Sequence, residues 1–272
     1  MNAERPSPVS FTETIGGAGA EAPWLTMVHA AALNRRIFSS QVQAFQDDFR
    51  ILLIDLPGHG DSADLPGPYG FEEYADSVLA ALDAAGVETT HYVGTHTGAA
   101  VGLILASRQP RRFCSLVLEG PPMPGVDMHS VLKAIGAARA TACERGVDAA
   151  RSEWYQKGWY DVMRAHPERC RAAEHLAILG EFTGRPWLDS SPSRPVTLIS
   201  SRLPSLEQPV LLMNGEHDVA DFLTAADEIE RLLPNAKRLS IPEAGGFPLW
   251  ECPERVNTIV REFLEAQSRA SA

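Results

Sequence analysis

The 272-residue sequence predicts an α/β fold, a mostly parallel sheet flanked by helices and interrupted by an inserted helical cap. Three observations point there. Short apolar runs bounded by turn residues recur along the chain, each followed by a longer segment with helical spacing. Apolar residues make up 44% of the chain, enough for an ordinary buried core, so the chain reads as globular. Between about residues 120 and 209 the alternation stops, and the text turns helical and aromatic, with Trp154, Tyr155, Trp159, Tyr160 and Trp187.

Taken in order, the Gly/Ala-rich residues 16–22 read as a turn between early strands. The strand candidates are LTMV (25–28), ILLID (51–55), HYVG (91–94), SLVLE (115–119), VLLM (210–213) and RLSI (238–241). FEEYADSVLAALDAAG places Phe71, Tyr74, Ala75, Val78, Leu79 and Leu82 on one helical face and stops at Gly86, an expected C-cap. Residues 98–109 form a further helix closed by Pro110. Residues 221–233 and 253–267 are amphipathic, with Asp221 as N-cap and Pro253 at a helix start. The predicted division is a core of residues 1–120 and 209–272, with 121–208 as the cap. Such a cap lies over the carboxyl ends of the strands, where open α/β sheets bind ligands.

Composition narrows the partners. A net charge of −11 argues against a nucleic-acid partner, because phosphate binders carry a basic excess. No window of about 18 apolar residues appears, nor an N-terminal apolar h-region, so the expectation is a cytoplasmic protein with no membrane partner. Cys114, Cys143, Cys170 and Cys252 form neither CxxC pairs nor a dense framework and read as reduced thiols, with Cys114 in the core. His29, His91 and His217 show no metal-ligand spacing. The expected partner is a small-molecule substrate bound by a monomer or homodimer, without metal or organic cofactor.

Five segments carry a family likeness: MVHAAALNRRIFSSQ, ILLIDLPGHGDS, HYVGTHTGAAVGLILASRQPRRFCSLVLEG, PVLLMNGEHD and IPEAGGFPLWECPERV. Their order and spacing resemble the α/β-hydrolase superfamily over residues 24–120 and 209–267, most closely its enol-lactonase and small-esterase branch. The resemblance implies an α/β-hydrolase fold in which Gly94-Thr95-His96-Thr97-Gly98 is the strand-turn-helix elbow that normally presents a nucleophile. Here the elbow residue is His96, the family's acid falls on Asp218, and its histidine falls on Gly246. It also implies an oxyanion hole from the N–H of Thr97 and the loop at Ala30 and Ala31, and a structural role for DLPGHGDS through Asp55, Gly58, Gly60 and Ser62.

With two of three triad positions changed, an acyl-enzyme route lacks its attacking oxygen. Thr95 and Thr97 point sideways from such a turn and are poor substitutes. The two changes are complementary in volume: an imidazole replaces a hydroxyl, and a glycine replaces a histidine across the pocket. His96 is therefore expected to fill the space at Gly246 and meet Asp218, a relocated acid/base, with Glu119 as the alternate partner. A base and an oxyanion hole without a nucleophile suit water attack on an ester or lactone, or lyase, decarboxylase or cyclase chemistry on a keto compound. His29, Trp154, Trp159 and Trp250 are the expected substrate contacts. Two other readings stand beside this one: a non-catalytic ligand-binding homologue in which His96 plugs the pocket, and a conventional esterase whose nucleophile lies elsewhere. Asp218 has a structural alternative too, capping the turn after NGE.

Overall fold

A computed structural model describes residues 10–16, 19–123, 126–196 and 199–270. Its seven strands are β1 (Thr12–Gly16), β2 (Trp24–Val28), β3 (Arg50–Ile54), β4 (Thr90–Thr95), β5 (Phe113–Glu119), β6 (Val210–Gly215) and β7 (Ala236–Ile241). They form one sheet in the order β1-β3-β2-β4-β5-β6-β7. Only β1 runs antiparallel, pairing with β3; every other neighbouring pair is parallel. Parallel strands need crossovers that put helices on both faces, which is why β4 and β6 are buried along their whole length. Met27, Ile51, Leu116 and Leu211 are fully buried.

The predicted strands are all present, with boundaries within one or two residues. β1 has no counterpart among the candidates, because TETIG holds a single large apolar residue and the strand is half exposed at the sheet edge. The helix Phe71–Ala84 buries Tyr74, Ala75, Val78 and Leu82, and Gly86 takes a left-handed φ of 68° just beyond it. The loop after β3 is built as the resemblance implied. Asp55 accepts from the N–H groups of Arg35 and Asp61 at 2.7 and 3.0 Å, and Ser62 from that of Phe11 at 2.7 Å.

Two expectations need correction. Cys114 is exposed, at the second position of β5 and ahead of the stretch Ser115–Glu119 that is buried throughout. Asp221 does not cap its own helix, Ala220–Leu232; its Oδ2 instead accepts from the N–H of Val131 at 3.0 Å, capping the neighbouring helix His129–Arg145. That helix opens the segment between β5 and β6, where it is followed by Val147–Trp154, Asp161–Ala165, Ala172–Gly180 and Arg185–Leu188, with no strand among the described residues. Trp154 anchors this segment, its ring centroid 4.9 Å from that of Trp159 and 5.5 Å from that of Trp187. No described helix is long and apolar enough to cross a membrane.

Candidate active site

β4 ends at Thr95 and the helix Thr97–Arg108 begins two residues later, so the chain reverses at His96. The reversal holds His96 at φ 44° and ψ −104°, a conformation L-residues rarely adopt, stabilised by its N–H donating to the Glu119 carbonyl at 2.8 Å and its carbonyl accepting from Ala100 N–H at 2.9 Å. The turn needs Gly98, because a Cβ there would run into the backbone of Val28. The side chain of the elbow residue lies at the floor of a cavity.

The imidazole sits between two backbone carbonyls. Its Nδ1 is 3.0 Å from the oxygen of Gly120 and its Nε2 is 2.7 Å from that of Gly246. Phe222 and Phe247 flank the ring, with centroids at 4.5 and 4.9 Å. Gly120 makes room for it: a Cβ at that position would stand 2.7 Å from the ring Cε1, and its φ is +51°. Carbonyl oxygens only accept, so two such contacts are satisfied together only in the doubly protonated ring. Burial acts the other way and pulls His96 down to about 4, with the two carbonyls opposing that shift. In the neutral ring one nitrogen donates and the other faces an oxygen lone pair.

Asp218, expected to meet this ring, does not. Its carboxylate accepts from Asn214 Nδ2 at 2.9 Å and from Val219 N–H at 2.8 Å, while both His96 nitrogens are occupied by carbonyls. Glu119, the alternate partner, turns its side chain to the N–H of Leu249 at 3.2 Å and meets His96 only through its backbone. The reason lies at Gly246. A Cβ there would fall 2.6 Å from Trp159 Cβ, and the Gly246 N–H donates to the Trp159 carbonyl at 3.2 Å. The inserted segment therefore fills the space the ring was expected to enter, and His96 stops at the Gly246 carbonyl.

Behind the ring lies a cluster of buried carboxyls. Burial raises Asp218 to about 7 and Glu119 well above its ordinary range. Glu251, which sequence reasoning missed, accepts from the N–H of Gly245 at 2.5 Å and is raised to about 7, mainly by burial and partly by Asp218. A carboxylate inside the apolar run FPLWEC was the signal that would have found it. His175 was missed too. It reaches in from Ala172–Gly180, fully buried among Tyr160, Phe247 and Trp250, and burial lowers it to about 3.

The cavity above His96 measures about 240 Å³. Ala30, Ala31 and Thr97 join His96 on its core side, and Trp154 and Trp159 are among the side chains facing them from the insertion. The N–H of Ala31 donates to the Thr97 hydroxyl at 3.2 Å. His29 and Trp250 stand outside the lining. His29 is buried beneath it, accepting the Leu56 N–H on Nε2 at 3.0 Å, and Trp250 donates its Nε1–H to the Cys170 carbonyl at 2.7 Å.

Residues 23–145 match the family described as the alpha/beta hydrolase fold. A putative carbamate hydrolase, RutD, of Agrobacterium fabrum is 34% identical over 258 residues, covering 93% of this chain and 97% of that one. The 2-succinyl-6-hydroxy-2,4-cyclohexadiene-1-carboxylate synthase of an Enterobacter species is 27% identical, over 89% of this chain and 92% of its own. The enol-lactonase structure from Burkholderia xenovorans superposes with a TM-score of 0.78 at 21% identity, over 94% of this chain and 96% of that one, a likeness of fold. With the sheet order, the elbow and near full-length relatives in agreement, the chain belongs to the α/β-hydrolase family.

Proposed function

We propose that the protein is a small-molecule enzyme that acts on a carbonyl substrate, an ester, lactone or keto compound, by acid/base catalysis at His96 without a serine nucleophile. The observation that carries this reading is the imidazole at the elbow, set at the floor of a ligand-sized cavity between the carbonyls of Gly120 and Gly246. In this reading Nδ1 keeps its proton on the Gly120 carbonyl, which follows directly on β5. Nε2 is then the nitrogen that exchanges protons. In the neutral ring its contact with Gly246 sets two lone pairs against each other, so this is the contact that opens towards a substrate proton. Once protonated, the ring finds both carbonyls as acceptors, which takes over the part an orienting carboxylate plays elsewhere.

The N–H of Thr97 at the helix start and that of Ala30 face the developing oxyanion in this reading, with the Thr97 hydroxyl held by Ala31. Asp218 and Glu119 act through space, favouring the imidazolium when they ionise. Hydrolases and a synthase among the relatives support both water attack and lyase or cyclase chemistry. A binding role is favoured by one observation, the occupation of both ring nitrogens.

The test is a panel of aryl esters, lactones and β-diketones, with a fluorophosphonate probe alongside. His96→Ala should lower kcat by roughly 10²–10⁴ on the substrate turned over, and the probe should leave the wild-type chain unlabelled. Labelling at a serine, or unchanged turnover in His96→Ala, removes the proposal. Ligand saturation without turnover across the panel makes the protein a binder.

A further inference from the structure

The cavity above His96 is unevenly furnished. Its side-chain polar groups are the His96 ring and the Thr97 hydroxyl on the core side and the indole N–H groups of Trp154 and Trp159 opposite them. The rest of the lining is apolar, most of it from the insertion and the helix after β6, including Met128, Val131, Ile135 and Phe222, with Phe71 and Phe247 from the core, and no described lining residue carries a charge. The ionisable groups behind the floor are the carboxyls of Asp218, Glu119 and Glu251, which repel an anion when they ionise. The chain's charge of −11 adds to that at long range.

Resting on the reading that this cavity is the functional site, we infer that it takes an uncharged molecule with an extended apolar body and a single oxygen at one end, and that it rejects carboxylates. The apolar walls gain from covering a hydrocarbon or aryl body, and about 240 Å³ suits a small one. The oxygen lies at the floor, against Thr97 and His96. A carboxylate entering the same space gives up its water without meeting a cation, and the groups nearest the floor share its sign.

A matched ten-carbon pair separates the possibilities without requiring turnover. The wild-type chain is titrated at pH 8 with 2-decanone and, separately, with decanoate, following fluorescence from Trp154 and Trp159, which line the cavity. The ketone should saturate, and decanoate should bind on the order of a hundredfold more weakly. Leu132 lines the same cavity and is 65% exposed, so Leu132→Arg places a cation at the mouth without filling the core. It should narrow the gap by roughly tenfold. Equal or tighter binding of decanoate by the wild type overturns the inference, as does failure of the ketone to bind. A preserved ketone preference alongside undiminished turnover in His96→Ala removes the catalytic assignment and leaves the ligand class standing.

Discussion

At His96 a strained backbone, a buried ring and two carbonyl acceptors meet in one residue. The positive φ would be costly for any side chain, and the fold holds it with two backbone hydrogen bonds. Gly120 is the position on which the ring depends most. In Gly120→Ala the new methyl meets the ring at 2.7–2.8 Å from a backbone already at φ +51°, so the imidazole must leave the two carbonyls. The expected result is about 1–3 kcal/mol of lost stability with a larger loss in kcat than in KM, checked by thermal melts and steady-state kinetics. The pH dependence follows from the same burial. Because His96 is lowered from 6.5 to about 4, the ring is the free base at neutral pH, and activity that needs it is lost only as pH falls through that lowered value. The acid limb of kcat/KM should therefore lie below 6.5; a limb above 6.5 would mean that the carbonyls outweigh burial.

Two elements depend on each other across the cavity, the helix Ala220–Leu232 of the core and the helix His129–Arg145 of the insertion. Asp221 on the first caps the second at Val131, and Val131 lines the cavity. Asp221→Ala should cost about 1 kcal/mol and loosen that wall, raising KM more than it lowers kcat. Asp221→Asn, which keeps an acceptor, should recover most of the loss; equal damage from both would make the carboxylate's charge the cause. This pairing also marks where the sequence stopped being readable. Strands such as ILLI and VLLM announce themselves because burial on both faces demands unbroken apolar runs. His96 was legible because an elbow has fixed spacing. Asp221 looked like a cap for its own helix because its partner lies 90 residues away. For the same reason Gly246 could not reveal that Trp159 fills the space beside it, and the pairing of His96 with Asp218 rested on a space that the insertion takes.

Across the whole molecule, buried histidines and buried carboxyls set opposing pH dependences. His29, His59, His96 and His175 are lowered to between about 3 and 4, mainly by burial, so between there and 6.5 the unfolded chain binds more protons and stability rises with pH. Asp218 and Glu251 are raised to about 7 and Glu119 further, so from about 4 upward the folded chain holds the extra protons and stability falls with pH. Each fully titrating group contributes a slope of about 1.4 kcal/mol per pH unit, and from pH 4.5 to 6.5 the four histidines outweigh the three carboxyls by about one group, a net rise of roughly 1–3 kcal/mol. Above 6.5 the histidines have lost their effect in both states, and the carboxyls alone remain. Thermal melts should therefore show a rise from about pH 4.5 to a maximum near 6.5 and a decline above it. Glu119→Gln should remove the part of the decline that continues beyond about pH 7, because Asp218 and Glu251 have by then released their protons. The same experiment bears on the site. A wild-type melting temperature that rises steadily to pH 8 would mean that these carboxyls are already ionised in the folded chain. Fixed negative charge would then stand behind His96 throughout, and the acid limb assigned to a depressed imidazole would move upward with it.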